Sequence, residues 1–329
     1  MKRRVRDMEI CKQVLLFLLL VFLAACRPPQ NDGRVLPIPA KIQSPSLVVL
    51  GTVQDAGSPQ IGCAKECCKQ LFTHPDANRK IVSLGLIDPA AEKKWLFEAT
   101  PDIAAQMRFL HACTGFSREI PDGIFLTHAH IGHYAGLMQL GREAMNADKI
   151  PVFAMPRMSD FLKNNGPWSQ LVRLQNIELK ELQDRQAIAV SENLSVSPIL
   201  VPHRDEYSET VGFQVAGPNK KALFIPDIDK WDKWETNIEQ AISEVDYALL
   251  DGTFVDGAEL PGRNIAEIPH PFVSESLQRF ATLPLAERNK IYFIHFNHTN
   301  PLLIEGSEAE KRVIEAGFHV ARIGMVLPL

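Results

Sequence analysis

The sequence has no excess of basic residues, with 35 Lys and Arg against 39 Asp and Glu in 329 residues. It therefore lacks the charge footprint of a nucleic-acid-binding protein. Hydrophobic residues make up 46% and charged residues 22%, which excludes a disordered chain, a collagen and a small disulfide-framework protein. No internal repeat and no break in composition divides the chain, so its length indicates a large globular domain.

The N-terminus lacks an apolar run long enough to cross a bilayer as a helix. Val14 to Ala25 is apolar throughout, but a spanning helix needs about 20 such residues. Behind the basic residues that precede it, this run is typical of a secretory signal peptide. Leu23-Ala24-Ala25-Cys26 resembles a bacterial lipobox, in which the cysteine receives the lipid. We therefore expect lipidation at Cys26, with an uncleaved single-pass anchor as the alternative.

These features predict three parts of the chain: a lipoprotein signal peptide at 1–25, a proline-rich tether at 26–45 and a folded domain at 46–329. Both interpretations of the N-terminus place the domain outside the cytoplasmic membrane. We expect a periplasmic protein that associates with the membrane through its N-terminal lipid. Arg27, not aspartate, follows the lipidated cysteine, and by resemblance to Gram-negative lipoproteins this favours the outer membrane.

Cysteine is scarce, and its placement is uneven. Three of the six cysteines, Cys63, Cys67 and Cys68, fall within six residues. This crowding favours a metal site, because several thiolates can converge on one tetrahedral ion. A disulfide from Cys63 to Cys67 or Cys68 is the alternative, since the expected compartment is oxidising. Cys113 stands alone and is predicted to be a buried free thiol.

Short apolar segments with interspersed helical segments run the whole length of the folded part. We predict a layered α/β (α+β) domain, because helices that pack on sheets of mixed direction form such layers. Gly217-Pro218-Asn219 predicts a hairpin turn between two strands. The pattern also predicts a helix at 234–243 and a single final strand at 319–326.

The histidines form the most specific pattern in the chain. The segment Thr127-His128-Ala129-His130-Ile131-Gly132-His133 directly follows the apolar run at 123–126. Residues two apart in an extended segment share a face, so His128 and His130 point the same way. The chain turns at Gly132, which allows His133 to approach them. A divalent metal explains three such close imidazoles better than a packed core does.

Further polar residues follow later apolar runs. His203, Asp227 and His295 each come after a predicted strand, and His298 lies three residues beyond His295. Sites on layered sheets collect where strands end, so we expect these side chains to lie near the first histidines.

Taken together, these motifs resemble the metallo-β-lactamase superfamily, whose signature is HxHxDH followed by His, Asp and His on later strands. The resemblance covers residues 47–329 and is greatest to the family of coenzyme PQQ biosynthesis protein B, with the phosphoribosyl cyclic phosphodiesterases as a neighbouring branch. It implies a four-layer αββα sandwich. The segments that carry it are 51–60, 123–136, 250–254 and 294–301.

The resemblance also implies ligand sets. A first metal position is implied for His128, His130 and His203, and a second for His133, Asp227 and His295, with Asp227 able to bridge. A structural zinc site is implied for Cys63, Cys67, Cys68 and His298, with Cys67 as the proposed fourth ligand because the spacing is CxxxCC instead of CxCxxC. His270 stands where the phosphodiesterase branch has a histidine suited to act as general acid.

The sequence departs from the family pattern at two positions, and the first of them affects the second metal position. Gly132 stands where HxHxDH has aspartate, so the position is expected to lack one carboxylate and to bind its metal more weakly. Asp251 is a possible replacement ligand or a partner of one, with an ordinary turn residue as the alternative. Glu98 stands where the family often has a structural aspartate.

The resemblance implies a metal-dependent hydrolase that acts on a small molecule, a phosphodiester or cyclic phosphate, with Asp227 and His270 in the catalytic set. Zinc is the expected active-site metal, in one or two positions, and manganese or iron fits the same ligand types. Two alternatives remain: an iron-dependent oxidase or oxygenase in PQQ-type cofactor biosynthesis, and a non-catalytic binding lipoprotein.

Overall fold

The computed structural model describes residues 40–329. The predicted signal peptide, the lipidated Cys26 and most of the predicted tether lie outside the described residues. Within 40–329, no helix has the length and apolar character needed to cross a membrane.

Fourteen strands occur in the described residues. They are β1 (Ser46–Gly51), β2 (Ser83–Asp88), β3 (Lys93–Phe97), β4 (Gly123–Phe125), β5 (Ile150–Ala154), β6 (Ile177–Glu181), β7 (Ile188–Ala189), β8 (Ser195–Leu200), β9 (Val211–Ala216), β10 (Lys221–Ile225), β11 (Tyr247–Asp251), β12 (Ile291–Ile294), β13 (His319–Val320) and β14 (Val326–Pro328).

The strands form two seven-stranded sheets. The first has the order β14-β1-β2-β3-β4-β5-β6 and the second β13-β12-β11-β10-β9-β8-β7. In each sheet one half is antiparallel and the other parallel: β3 to β6 run parallel in the first, and β10 to β13 in the second. The strands of each parallel half therefore end at a common edge, where loops can form a site.

Nine α-helices flank the sheets in the described part of the chain. They are α1 (Glu66–Lys69), α2 (Ile103–Ala112), α3 (Ile131–Tyr134), α4 (Pro156–Asn164), α5 (Trp168–Arg173), α6 (Ile238–Ser243), α7 (Val273–Phe280), α8 (Leu285–Arg288) and α9 (Glu308–Glu315).

Alternation along each strand separates the core into layers, because successive side chains point to opposite faces. Phe97, Phe125, Phe213 and Phe224 belong to the buried cluster between the sheets, where Phe213 lies 5.4 Å from Phe97, ring centroid to centroid. A second cluster lies under α2, α4 and α5, and a third under α6, α7 and α9. Helix, sheet, sheet and helix thus form four layers, which confirms the predicted αββα sandwich.

Two predicted elements were wrong in extent. The predicted final strand at 319–326 is two strands, β13 in the second sheet and β14 in the first. The chain turns between them at Gly324, whose φ of 86° is a left-handed conformation that favours glycine. The helix predicted at 234–243 begins only at Ile238, because the Asn237 side chain accepts a hydrogen bond from the Gln240 backbone N–H and caps it there.

The inter-sheet layer makes a stability prediction. Phe213 is fully buried and contacts both Phe97 and Phe125, so Phe213→Ala should lower the free energy of unfolding by about 3–5 kcal/mol through lost burial and a cavity. Urea denaturation followed by circular dichroism measures this. Phe72→Ala, at a half-exposed position, is the matched control and should cost about 1 kcal/mol or less. Equal losses in the two variants would contradict this account of the core.

Candidate metal centre

The polar residues singled out in the sequence lie where strands from both sheets end. His128 follows β4, His203 follows β8, Asp227 follows β10 and His295 follows β12. Because β4 and the parallel strands β10 and β12 end at the facing edges of the two sheets, these side chains meet over the core.

A first cluster contains His128, His130, His203 and Asp227, whose ligand atoms lie within 4.8 Å of one another. The Asp227 Oδ2 atom is 3.4 Å from His128 Nε2, 3.9 Å from His130 Nδ1 and 3.2 Å from His203 Nε2. Three imidazole nitrogens thus face one carboxylate oxygen, as the predicted first metal position requires.

A second cluster shares the same aspartate. The His133 Nε2 atom lies 4.0 Å from Asp227 Oδ2, and His295 belongs to the same group. The backbone of His295 has a φ of 68°, a strained left-handed conformation for a residue other than glycine. Asp227 therefore lies between two sets of imidazoles, as expected for a bridging ligand.

The structure adds a fourth member to the second cluster, Asp55, which the sequence analysis did not select. Its Oδ1 atom is 2.9 Å from His133 Nε2 and 3.2 Å from His295 Nε2. A Cβ atom on Gly132 would lie only 2.3 Å from the Asp55 Cα. The absence of a side chain at 132 thus makes room for a carboxylate from another loop. The expected loss of one carboxylate from this cluster does not occur.

A signal for Asp55 was present in the sequence. It lies in Gln54-Asp55-Ala56-Gly57, within a segment that resembles the family. Once Gly132 removes the usual aspartate, an acidic residue just after another strand is the natural replacement, and Asp55 follows β1. Asp251, the candidate replacement considered from the sequence, is not in this cluster.

Asp251 instead contacts His270. The His270 Nδ1 atom is 2.9 Å from Asp251 Oδ2 and 3.3 Å from Asp227 Oδ1. Burial alone would lower the pKa of His270, but the carboxylates of Asp251 and Asp227 raise it to about 9. His270 is therefore protonated at neutral pH and lies beside the first cluster.

The ring nitrogens that face away from the clusters have their own partners. Such contacts orient metal-ligating histidines and leave the inner nitrogens free for the metal. The pairs are His128 Nδ1 with Thr127 Oγ1 at 2.9 Å, His130 Nε2 with Glu206 Oε2 at 3.3 Å, His133 Nδ1 with Glu98 Oε1 at 3.1 Å, His203 Nδ1 with Asp229 Oδ1 at 3.2 Å and His295 Nδ1 with Thr253 Oγ1 at 2.9 Å.

The ionisable groups of the centre shift one another's pKa values. Burial would raise the pKa of Asp227, but His203 and His270 hold it well below its ordinary value. Burial and the neighbouring His133 lower the pKa of His128, which keeps this imidazole neutral and able to bind a metal. Burial would also lower the pKa of His133, but Asp55 and Glu98 raise it well above its usual range. His203 behaves similarly, since Asp227 raises its pKa against the effect of burial. Carboxylates and imidazoles therefore compensate one another's charge in the centre, and a bound metal would take the place of protons on the imidazoles.

Two buried atoms support the fit of a metal. Among residues 40–329, neither His203 Nε2 nor Asp227 Oδ1 has a hydrogen-bond partner; the 3.2 Å approach of His203 to Asp227 Oδ2 does not have hydrogen-bond geometry. A buried polar atom without a partner costs about 1–3 kcal/mol. Imidazole nitrogens and carboxylate oxygens are ligands of divalent zinc, manganese and iron, so the residues fit the metal that the motif implies.

A separate group lies on the loop after β1. Cys63, Cys67, Cys68 and His298 have ligand atoms within 4.8 Å of one another. The cysteines in the described residues are all free. The structure therefore lacks the disulfide from Cys63 that was the alternative to a metal site. Burial, and then the neighbouring thiols, raise the pKa of Cys68 to about 12. Three sulfurs and one imidazole are a common tetrahedral zinc set, and Cys67 lies within reach of the other three residues.

Cys113 lies apart from both metal groups. It is fully buried, and burial raises the pKa of its thiol to about 11. A thiol with this pKa stays protonated at neutral pH and is unreactive, as the sequence predicted.

Comparisons with known proteins agree with this geometry. Coenzyme PQQ synthesis protein B from Methylorubrum extorquens is 25% identical over 311 residues, which is 86% of this chain and 99% of that protein. The structure of zinc-bound PqqB from Methylobacterium extorquens superposes with a TM-score of 0.69 at 23% identity, covering 86% of this chain and all of that one. A diphosphatase of the PhnP family superposes with a TM-score of 0.59 at 21% identity, covering 87% and 99%.

A sequence profile of the β-lactamase superfamily domain matches residues 93–296. This span includes both histidine clusters except Asp55, and it covers more than half of the chain. Together with the four-layer sandwich and the histidine signature, this shows that the chain belongs to the metallo-β-lactamase superfamily.

Proposed function

We propose that this protein is a metal-dependent hydrolase that cleaves a phosphodiester or a cyclic phosphate in a small molecule. The observation that carries the proposal is the convergence of two histidine clusters on Asp227, with the protonated His270 beside it. The superposition on a diphosphatase of the PhnP family supports a phosphate substrate, although the likeness itself concerns the fold.

The two clusters would hold one or two divalent ions, with zinc as the proposed metal. The first position would use His128, His130, His203 and Asp227, and the second Asp55, His133, His295 and the shared Asp227. When bound, such an ion polarises a phosphoryl oxygen and lowers the pKa of water to about 7. The carboxylates around the clusters keep the ligating nitrogens oriented for that ion.

His270 supplies the proton for the leaving group in this proposal. The Nδ1 atom is hydrogen-bonded to Asp251 Oδ2 and also lies 3.3 Å from Asp227 Oδ1, so that nitrogen carries the proton that Asp251 accepts. The other ring nitrogen, Nε2, is then the one that can donate to a leaving-group oxygen. Asp251 acts by orienting the ring, and Asp227 has a second role as a ligand.

An iron-dependent oxidase or oxygenase is the second candidate. The observation that favours it is the match to coenzyme PQQ synthesis protein B over 86% of the chain. Histidines with carboxylates also bind non-haem iron, so the ligand set accepts this metal. A non-catalytic binding protein is favoured only if the carboxylate lost at Gly132 has no replacement, and Asp55 provides one.

We further propose that the domain is anchored by lipid on Cys26 to the periplasmic face of a membrane, with the outer membrane favoured. The support is the lipobox-like segment Leu23–Cys26 behind a short apolar run.

The first test removes one ligand from the first cluster. His130→Ala should lower kcat/KM for bis(p-nitrophenyl) phosphate by more than about 100-fold. Mutating a residue that only hydrogen-bonds to a metal-ligating histidine already costs about 10–100-fold in metal affinity or activity, and loss of the ligand itself should cost more. His74→Ala, at an exposed position outside the metal groups, is the matched control and should retain full activity. Full activity in His130→Ala would refute the ligand role, and oxygen consumption by iron-loaded protein without hydrolysis would favour the second candidate.

The second test isolates the proton donor. His270→Ala should lower kcat about 100-fold or more for diesters with alkyl leaving groups, since these alkoxides need protonation. The loss should be much smaller for p-nitrophenyl esters, whose leaving group departs as a stable anion. Steady-state kinetics on both substrate types measures the difference, with metal content checked in parallel. An equal loss for both types would show that His270 does not act as a general acid.

The third test concerns the anchor. Cys26→Ala should move the protein from the membrane fraction to the soluble periplasmic fraction, because the thiol that accepts the lipid is gone. Fractionation with immunoblotting measures this, and Cys11→Ala serves as the matched control within the predicted signal peptide. Membrane association that persists in Cys26→Ala would favour the uncleaved anchor.

A further inference from the structure

The loop between β1 and β2, residues 54–80, carries both Asp55 and the three cysteines. We call it the cysteine loop. Its regular structure is limited to the four-residue helix α1. Ser58 and Cys68 are its buried side chains, and within the described residues it contributes nothing to the three apolar clusters. A loop without apolar burial cannot offset the entropy of its own ordering.

The opposing segment, 294–300, carries one ligand for the second histidine cluster and one for the cysteine group. His295 belongs to the second histidine cluster and His298 to the cysteine group. The root of the cysteine loop pairs with this segment: the Phe296 backbone N–H donates to the Thr52 carbonyl at 2.7 Å, and the Gln54 N–H donates to the Phe296 carbonyl at 2.8 Å. These hydrogen bonds hold the first residue of the loop, and the last residue is held through the Lys80 carbonyl, which accepts from the Thr52 and Val53 backbone N–H groups at 2.9 Å. The residues between the two ends, among them the three cysteines, make no such bond to segment 294–300.

The second histidine cluster and the cysteine group therefore both take ligands from the same two segments. The cysteine loop provides Asp55 to the histidine cluster and three thiols to the cysteine group, while segment 294–300 provides one histidine to each. A metal in the cysteine group joins the two segments a second time, beyond Asp55. Metal binding of this kind contributes directly to the folding of a segment without a core.

We propose that the cysteine group positions Asp55, so that metal bound by Cys63, Cys67, Cys68 and His298 sets the occupancy of the second active-site position. The proposal rests on the proposed function in one respect, that the histidine clusters bind metal. Loss of a thiol releases the cysteine loop, and Asp55 then leaves His133 and His295. The first cluster takes no ligand from this loop, so its metal stays bound.

The geometry at Gly132 supports this dependence. The Asp55 backbone lies against Gly132, at a distance too short for any side chain at 132. The Asp55 carboxylate therefore reaches the second cluster only while its backbone stays against Gly132. A small displacement of the loop moves the carboxylate away from His133 and His295. A ligand on the helix α3, such as an aspartate at 132 itself, would not depend on the cysteine loop.

The experiment counts metal ions in the full-length protein by elemental mass spectrometry at a fixed, buffered concentration of free zinc. Wild type should hold three ions per chain and Asp55→Ala two. Cys63→Ala should hold one, because it loses the cysteine-group ion and the second histidine-cluster ion together. Cys63 is partly exposed, so its replacement opens no core cavity. Cys113→Ala is the matched control with the same substitution outside both groups, and should hold three.

A second variant distinguishes the displacement of Asp55 from general unfolding of the protein. Gly132→Ala keeps every proposed ligand and the cysteine group, but its Cβ would displace Asp55, so it should hold two ions. Hydrogen exchange measured on Cys63→Ala should increase in the 54–62 peptide and stay unchanged in β4 and β10.

Three outcomes would overturn the proposal, and they differ in what they say of the hydrolase. Two ions in Cys63→Ala with hydrolysis intact would refute the positioning role and leave the proposed function standing. Three ions in Asp55→Ala or Gly132→Ala would refute the role of Asp55 as a ligand. A wild-type chain with metal in the cysteine group alone would refute both this inference and the proposed function.

Discussion

The buried carboxylate of Asp227 is the interaction on which the rest of the site depends. One of its oxygens lies 3.2–4.0 Å from nitrogens of four histidines, and the other lies 3.3 Å from a fifth, His270. A buried ion is stable only when opposite charges or a metal compensate for its lost hydration. The two sheets must therefore bring their strand ends together around this residue, which the facing parallel halves achieve.

The second cluster contains a carboxylate although the sequence lacks the aspartate of the HxHxDH motif. The usual aspartate is replaced by Gly132, and Asp55 enters the space from a loop 77 residues earlier in the chain. The second cluster still has a carboxylate, but this carboxylate stands on a loop with almost no buried side chains and not on the short helix α3. This exchange makes the cysteine group relevant to the active site and not to local folding alone.

Local patterns in the sequence predicted a layered α/β domain and the closeness of the first histidines, because alternation along strands and closely spaced histidines are properties of short segments. The four-layer order and the ligand sets came from the resemblance to the superfamily. Asp55 could not be found in this way. Gln54-Asp55-Ala56-Gly57 has the composition of an ordinary turn, and its contact with His133 depends on a register set by both sheets. The final strand was predicted as one element because its division depends on which sheet edge each half reaches, although Gly324 marks the turn.

The energetics of the centre indicate that metal binding and folding are coupled. Asp227, Asp251 and Glu98 are all buried, and His203 Nε2 and Asp227 Oδ1 lack partners within the described residues. Without a metal, these two unpartnered atoms each cost about 1–3 kcal/mol. A divalent ion removes both costs in the folded chain but finds no preformed ligand set in the unfolded chain. The ion thus stabilises the native state by its binding free energy.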